Sequence, residues 1–461
     1  MQERLQSWGV SSSKTVVLYD SGGTMMAPRV FFDFVEAGFP IERLALLDGG
    51  LAKWAASGGS VTTRPSPAPA RGDFRVGTPA DDPRTRLPEF LQASGDTRNH
   101  ALVEALDGNY HFGAARFFDR AGHVPNAILW PADDFFNADK TLKSADEIRR
   151  MAAYLGVLPT QQIHSHCGGG VAASVPWFAL RYLAGFPKVK LFVGSQLEWL
   201  LDERQLPYWT YSAPQLVRDV AWLGGWANPE LMSFGVRPLA IVDIRPAEAF
   251  ALGHVPGARS IPAERWRSLA TQPQQLAEVV AAAGVRPGVE TVITSAGGLT
   301  TDAALAFVLL QSLGQPKVSV LTDSVDEWAW RGLPLSKELK PAAAGSTSAA
   351  GFAALPRQPR LVRDLGAPSG LFPPVFVAAG ATVSAAAPVP SGAKLVRLPA
   401  AELLTAPGQP KAAKDLWRLI SQAGVPRYAE LLVFADDPGE AATAVLVLQL
   451  MGWPDVKLWL R

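Results

Sequence analysis

The chain has 461 residues, 48% of them hydrophobic and 18% charged, with 43 basic against 42 acidic side chains and a net charge of +1. At roughly 100–200 residues per domain this length suggests about three domains and excludes one small module, and the composition excludes a disordered chain. The balanced charge gives no electrostatic case for nucleic acid or an anionic membrane as partner.

The N-terminal stretch MQERLQSWGVSSSKTVVLYD has no apolar core of the signal-peptide kind. It ends in a strand, followed by the small-residue loop Asp20-Ser21-Gly22-Gly23-Thr24 and a helix. Residues 44–54, LALLDGGLAKW, then read as an apolar strand, a tight turn and a short helix carrying Trp54. The same signature returns at 189–199, VKLFVGSQLEW, and at 318–328, VSVLTDSVDEW, and the terminal VKLWLR looks like the same strand cut short. Before each of these segments stands a strand, a small-residue loop and a helix. The second, third and fourth of these run QIHSHCGGGVAAS, TVITSAGGLTTDAA and LLVFADDPGEAATA. Upstream, GHVPNAILWP (122–131) is echoed by GHVPGARSIP (253–262).

These are internal repeats. Cys167 precedes Trp199 by 32 residues and Ser295 precedes Trp328 by 33. Short apolar strands alternating with amphipathic helices predict an α/β fold of parallel sheets with helices on both faces. Units of about 125 residues are domain-sized rather than solenoid-sized. The expected division is a half unit at 1–60, a Pro-rich linker at 61–94, and a full unit at 95–210. Another full unit follows at 215–336, then a second linker at 337–355 and a last, degenerate unit at 356–461. Trp54, Trp199 and Trp328 are expected core positions. The uncharged run Leu365–Ala393 contains five prolines, so it cannot form one continuous membrane helix.

The strongest chemical signal is IHSHCGGGVAAS (163–174). A strand ends at His166, Cys167 opens the loop, and a helix is expected from about Val171. Gly168, Gly169 and Gly170 lack Cβ atoms and can turn their N–H groups toward the sulfur, and the helix N-terminus adds positive potential. Both favour a thiolate, a persulfide or an oxyanion at Cys167. As the sole cysteine, it excludes an intramolecular disulfide and Cys-rich metal sites; none of the six histidines falls in an H-E-x-x-H pattern. No metal or other cofactor is expected. Neither G-x-x-x-x-G-K-[ST] nor G-x-G-x-x-G after a strand occurs, which argues against a nucleotide site.

With these motifs in place, the chain resembles the tandem rhodanese-type sulfurtransferases, the thiosulfate and 3-mercaptopyruvate sulfurtransferase family. The resemblance rests on Gly122-His123-Val124-Pro125-Asn126-Ala127, the Cys167 loop, and Gly194-Ser195 with Trp199. It covers nearly the whole chain as three and a half rhodanese-like modules. It implies a double displacement in which Cys167 takes the sulfane sulfur of a small donor, passes through a persulfide and hands the sulfur to cyanide or a thiol. Thiosulfate is the favoured donor and 3-mercaptopyruvate the second. The alternative is a persulfide carrier fed by a protein thiol partner. The loop Gly168, Gly169, Gly170, Val171 and Ala172 would then cradle substrate.

Departures from the family pattern are specific. Gly169 stands where mercaptopyruvate-preferring members carry Ser, and no Arg or Lys lies in the loop. Where relatives read Asp-x-Arg, this chain has Glu104-Ala105-Leu106. Glu104 replaces the acid, and Arg116 or Arg120 is expected to supply the missing cation. His166 is a candidate cationic neighbour of the thiolate, with His164 a weaker one and His123 a turn-structuring residue. The third module keeps Asp243-Ile244-Arg245 but places Ser295 at the Cys position; the fourth has Ala435 nearest that position. With the half module, these are expected to be catalytically silent. The compartment expected is cytoplasmic, with a truncated N-terminus and a periplasmic location as the alternative.

Overall fold

The computed structural model describes residues 1–226, 239–339, 350–353, 360–363, 365, 370–381, 389–406 and 408–460. The chain divides into two compact units, Met1–Ser212 and Ala213–Arg461. Most of the expected linker 337–355 lies outside the described residues.

The first unit opens with helix α1 (Gln2–Ser7) and strand β1 (Val16–Leu18). Helix α2 (Met26–Glu36), strand β2 (Leu44–Leu46) and helix α3 (Gly50–Ala56) follow. β1 and β2 form a two-stranded parallel sheet, with Val16 opposite Leu44. Next come β3 (Arg84–Thr85), α4 (Leu87–Gly95), β4 (His100–Glu104), α5 (Gly108–His111) and β5 (Ala127–Leu129). The unit closes with α6 (Ala145–Leu155), β6 (Gln162–His166), α7 (Ser174–Phe178), β7 (Val189–Phe192) and α8 (Ser195–Leu201). The five-stranded sheet has the order β3-β7-β6-β4-β5, all parallel.

The second unit holds two sheets of the same kind. One comprises β8 (Val217–Arg218), β9 (Leu239–Asp243), β10 (Arg259–Ser260), β11 (Glu290–Thr294) and β12 (Val318–Leu321), ordered β8-β12-β11-β9-β10. The other comprises β13 (Leu361–Val362), β14 (Pro374–Ala378), β15 (Lys394–Arg397), β16 (Glu430–Phe434) and β17 (Val456–Trp459), ordered β13-β17-β16-β14-β15. All three complete sheets share one strand order, first-fifth-fourth-second-third. Strands buried on both faces read as near-continuous apolar runs, as ELLVF in β16 does.

Three sequence expectations need correction. β3 and α4 fall inside 61–94, so that segment is not linker throughout; Phe90 of α4 is fully buried against Phe192 and Trp199. The helices Thr301–Ser312 and Pro438–Leu450 are not amphipathic: Ala303–Leu310 and Ala441–Leu450 are buried along their whole lengths, the two helices packing on each other. A helix covered on every side has no need of a polar face. Trp199 and Trp328 are core residues that donate Nε1–H to the carbonyls of Pro207 and Pro334. Trp54, however, is 46% exposed, on α3, whose accompanying sheet has only two strands and less surface to cover it.

Candidate active site

Strand β6 delivers Cys167 to its C-terminal end, the side of a parallel sheet where ligands bind. The thiol is 3% exposed. Gly170 donates its N–H to Sγ at 3.1 Å. Gly170 is left-handed, φ +83°, and a Cβ there would lie 2.4 Å from the Val193 carbonyl, so only glycine fits. Gly169 is exposed, with open space where a Cβ would stand. Gly168 is buried beneath the Phe117 ring, which stacks on Tyr110 at 4.2 Å. Val171 accepts the Ser174 hydroxyl through its carbonyl. Ala172 is buried behind it.

The expectation of three amides around the sulfur is met by one, Gly170. The helix begins at Ser174, later than expected, and passes after five residues into a π-helical turn at Ala179–Leu183.

A residue that the sequence reading named only as part of a turn completes the cradle. Ser195 takes φ +51° at the start of α8. Its hydroxyl accepts the Cys167 N–H at 3.1 Å and donates to the Phe192 carbonyl at 2.8 Å. Its oxygen lies 3.9 Å from Sγ. α8 is tied to the loop by Gln196 N–H to the Cys167 carbonyl and Leu197 N–H to the Gly168 carbonyl, both 3.0 Å.

The N-terminal sheet and its helices reach the same loop. Arg29 of α2 donates to the Gly170 carbonyl at 3.1 Å and pairs with Asp33 at 2.8 Å. α2 packs on α7 through Phe31 and Phe32 against the fully buried Trp177. Asp48 accepts the Leu142 N–H at 2.8 Å, and Lys53 pairs with Asp139 at 2.6 Å.

His166 does not fit the expected cationic role, and Arg116 and Arg120 each hold a backbone carbonyl. Arg116 donates to the Asp119 carbonyl, and Arg120 donates to the Leu206 carbonyl and lies over Tyr208. His166 is fully buried with its ring against Phe90 at 5.0 Å, and burial pushes its pKa down to about 3. A neutral imidazole cannot act as the cation. His164 is also pushed down to about 3 by burial, and it bonds Thr85 and His100 at 2.8 Å and 3.0 Å.

Glu104 does replace the acid, and its partner is His111. Both are fully buried, and His111 Nδ1 pairs with Glu104 Oε2. Gln196 donates its side-chain amide to Glu104 Oε1. His111 Nε2 lies 3.0 Å from the Ser212 hydroxyl. Burial pushes the Glu104 carboxyl up to about 8. In the third sheet Asp243 holds Arg245 at 2.8 Å, and Arg245 also donates to the Gly253 carbonyl. There Phe250 stacks on His254 at 3.8 Å; here His111 stacks on His123 at 3.5 Å. Each lies seven residues beyond its acid. His111 therefore occupies the Phe250 position and takes over the work that Arg245 does, Leu106 being unable to.

The Ser295 loop has the same turn, Gly298 at φ +70° with a Cβ position 2.1 Å from the Thr322 carbonyl. Its hydroxyl donates to the Gly298 carbonyl at 2.6 Å and accepts the Gly297 N–H at 3.1 Å. Near Ala435, Asp437 caps the helix Pro438–Leu450 and pairs with Arg267 at 2.6 Å. Among the described residues no helix is long and apolar enough to cross a membrane.

The rhodanese-like domain family matches residues 230–330. A Pseudomonas aeruginosa protein named as a 3-mercaptopyruvate sulfurtransferase is 34% identical over 204 residues, 44% of this chain and 70% of the relative. A Thermus thermophilus sulfur carrier protein, TtuD, is 32% identical over 213 residues, 43% of this chain and 71% of the relative. A Haloferax volcanii protein named as a thiosulfate sulfurtransferase is 30% identical over 208 residues, 43% of this chain and 70% of the relative. With the repeated parallel sheets and the cysteine loop at a strand end, these relationships establish that the chain belongs to the rhodanese-type sulfurtransferases.

Proposed function

We propose that Cys167 is the sulfur-accepting nucleophile of this chain. The thiolate attacks the transferable sulfur of a small donor, first the outer sulfur of thiosulfate and second the thiol sulfur of 3-mercaptopyruvate, whose C–S bond breaks as the enolate of pyruvate leaves with the bonding pair and takes up a proton. With thiosulfate, a Cys167 S–S bond forms, the donor S–S bond breaks, and sulfite leaves with the bonding pair. Cyanide or a thiolate then attacks the terminal sulfur, and the thiolate of Cys167 is restored. The observation that carries this reading is the Gly170 N–H aimed at Sγ at 3.1 Å, in a loop whose next residue outward, Gly169, is open to solvent. A fixed amide at the sulfur stabilises negative charge there without reorganising.

Silent modules accompany the active one in this proposal: a half module at 1–60, a module with Ser295 and a degenerate module near Ala435. Neither a serine hydroxyl nor an alanine forms a persulfide. The active module would extend from β3 to α8. A carrier role is the second reading, favoured by two observations: the loop itself holds no cationic side chain, and one relative is named a sulfur carrier. Steady-state turnover of thiosulfate and cyanide by the wild-type protein and Cys167→Ser separates the two readings. Cys167-dependent thiocyanate release supports the enzyme. A persulfide that forms but does not turn over with small molecules supports the carrier.

A further inference from the structure

We infer that Arg29, from the N-terminal half module, is a positioning residue for Cys167. The inference rests on the proposed role of Cys167 as the nucleophile, and it gives the half module a task in that chemistry. Gly170 is held from both sides. Its N–H meets the sulfur at 3.1 Å, and its carbonyl receives the Arg29 guanidinium at 3.1 Å. Glycine at φ +83° has no intrinsic preference that would hold it there, so its conformation depends on the contacts around it, and the Val193 carbonyl closes the space on one side. The N–H and the carbonyl lie in the two peptide planes that meet at this Cα, so a hydrogen bond on the carbonyl restrains the torsions that aim the N–H at the sulfur.

Arg29 is itself anchored. Asp33, one turn further along α2, pairs with it at 2.8 Å, and its guanidinium lies 5.4 Å from the centre of the Phe32 ring. Its side chain is 22% exposed, so the hydrogen bond to Gly170 is only partly open to competing water. Phe31 and Phe32 seat α2 on Trp177, just beyond the loop. A cation enters the neighbourhood of the cysteine loop in this way, although the loop sequence has none. Arg29 touches the backbone and not the sulfur, so it acts through Gly170.

The test uses the full chain, whose single cysteine makes every thiol reading specific to Cys167. Arg29→Gln keeps a donor without the charge, Arg29→Lys keeps the charge, and Arg29→Met keeps neither. Iodoacetamide alkylation is followed by intact mass from pH 5 to 10, alongside persulfide formation from thiosulfate. The expected result is alkylation at neutral pH slowed about tenfold in Arg29→Met, the pH midpoint moved upward, and most of the rate kept in Arg29→Lys. A folded Arg29→Met with the wild-type pH profile overturns the inference. Should Arg29→Met not fold, the comparison of Arg29→Gln with Arg29→Lys decides: equal profiles overturn it, and a profile shifted only in Arg29→Gln upholds it. Absence of a persulfide on wild type counts against the proposed function, while the alkylation profiles still report on Arg29.

Discussion

Glu104 and His111 form a buried pair seven residues apart, at the positions that Asp243 and Phe250 hold in the third sheet. One architecture has thus satisfied the same buried acid in two ways: by Arg245 two residues on, or by a histidine on the following helix. A buried carboxyl oxygen left without a hydrogen-bond partner is costly.

His111→Phe, which copies Phe250, is expected to cost about 2 kcal/mol by leaving Glu104 Oε2 without its hydrogen-bond partner, Gln196 still holding Oε1. The triple change Glu104→Asp, Leu106→Arg and His111→Phe rebuilds the arrangement of Asp243, Arg245 and Phe250 and is expected to recover most of that loss. Urea midpoints at pH 7 check this. A triple variant no more stable than His111→Phe contradicts it.

Gly170→Ala and Gly169→Ala should differ sharply. A Cβ on Gly170 lies 2.4 Å from a carbonyl oxygen in a left-handed conformation, whereas one on Gly169 meets nothing within 4 Å. The first is expected to lose stability by about 2 kcal/mol and sulfur transfer by more than about tenfold, the second to keep the stability of the wild type. Thermal melts and thiocyanate assays of both proteins measure the contrast.

Acid sensitivity follows from the buried histidines. His123, His164 and His166 are each held down to about 3, chiefly by burial. Between that value and the unfolded value near 6.5, the unfolded chain binds more protons, so stability rises with pH across this window and is lost on acidification. Glu104 works in the opposite sense: its raised carboxyl favours the folded state below about 4.5 and penalises it as pH climbs toward about 8. His166→Phe, which removes one buried base beside Phe90, is expected to flatten the fall in urea midpoint between pH 6.5 and 4. An unchanged acid limb would falsify this assignment.

Much of this was legible in the sequence. Periodic strands, the repeated Gly-His-Val-Pro turns and the spacing from Cys167 to Trp199 point to repeated parallel sheets. The glycine loop pointed to Cys167 because only a few residue types tolerate that turn. What stayed hidden depends on contacts between distant segments. Arg29 is 141 positions from Gly170, and nothing near it marks a loop contact. Gln196 meets Glu104 across 92 positions. His111 had a signal, its register with Phe250, but the missing arginine drew attention to Arg116 and Arg120 instead. His166 looked cationic beside the cysteine because alternation along β6, which turns its ring toward Phe90, was outweighed by adjacency in sequence. The segment 61–94 looked like linker because its early prolines obscured a two-residue strand and a short helix.

The most direct measurement is the intact mass of the protein after brief exposure to thiosulfate and, separately, to 3-mercaptopyruvate, with Cys167→Ser in parallel. A gain of about 32 Da on the wild type alone, removed by cyanide, is the result expected of a Cys167 persulfide. No gain with either donor, or the same gain on Cys167→Ser, would contradict it.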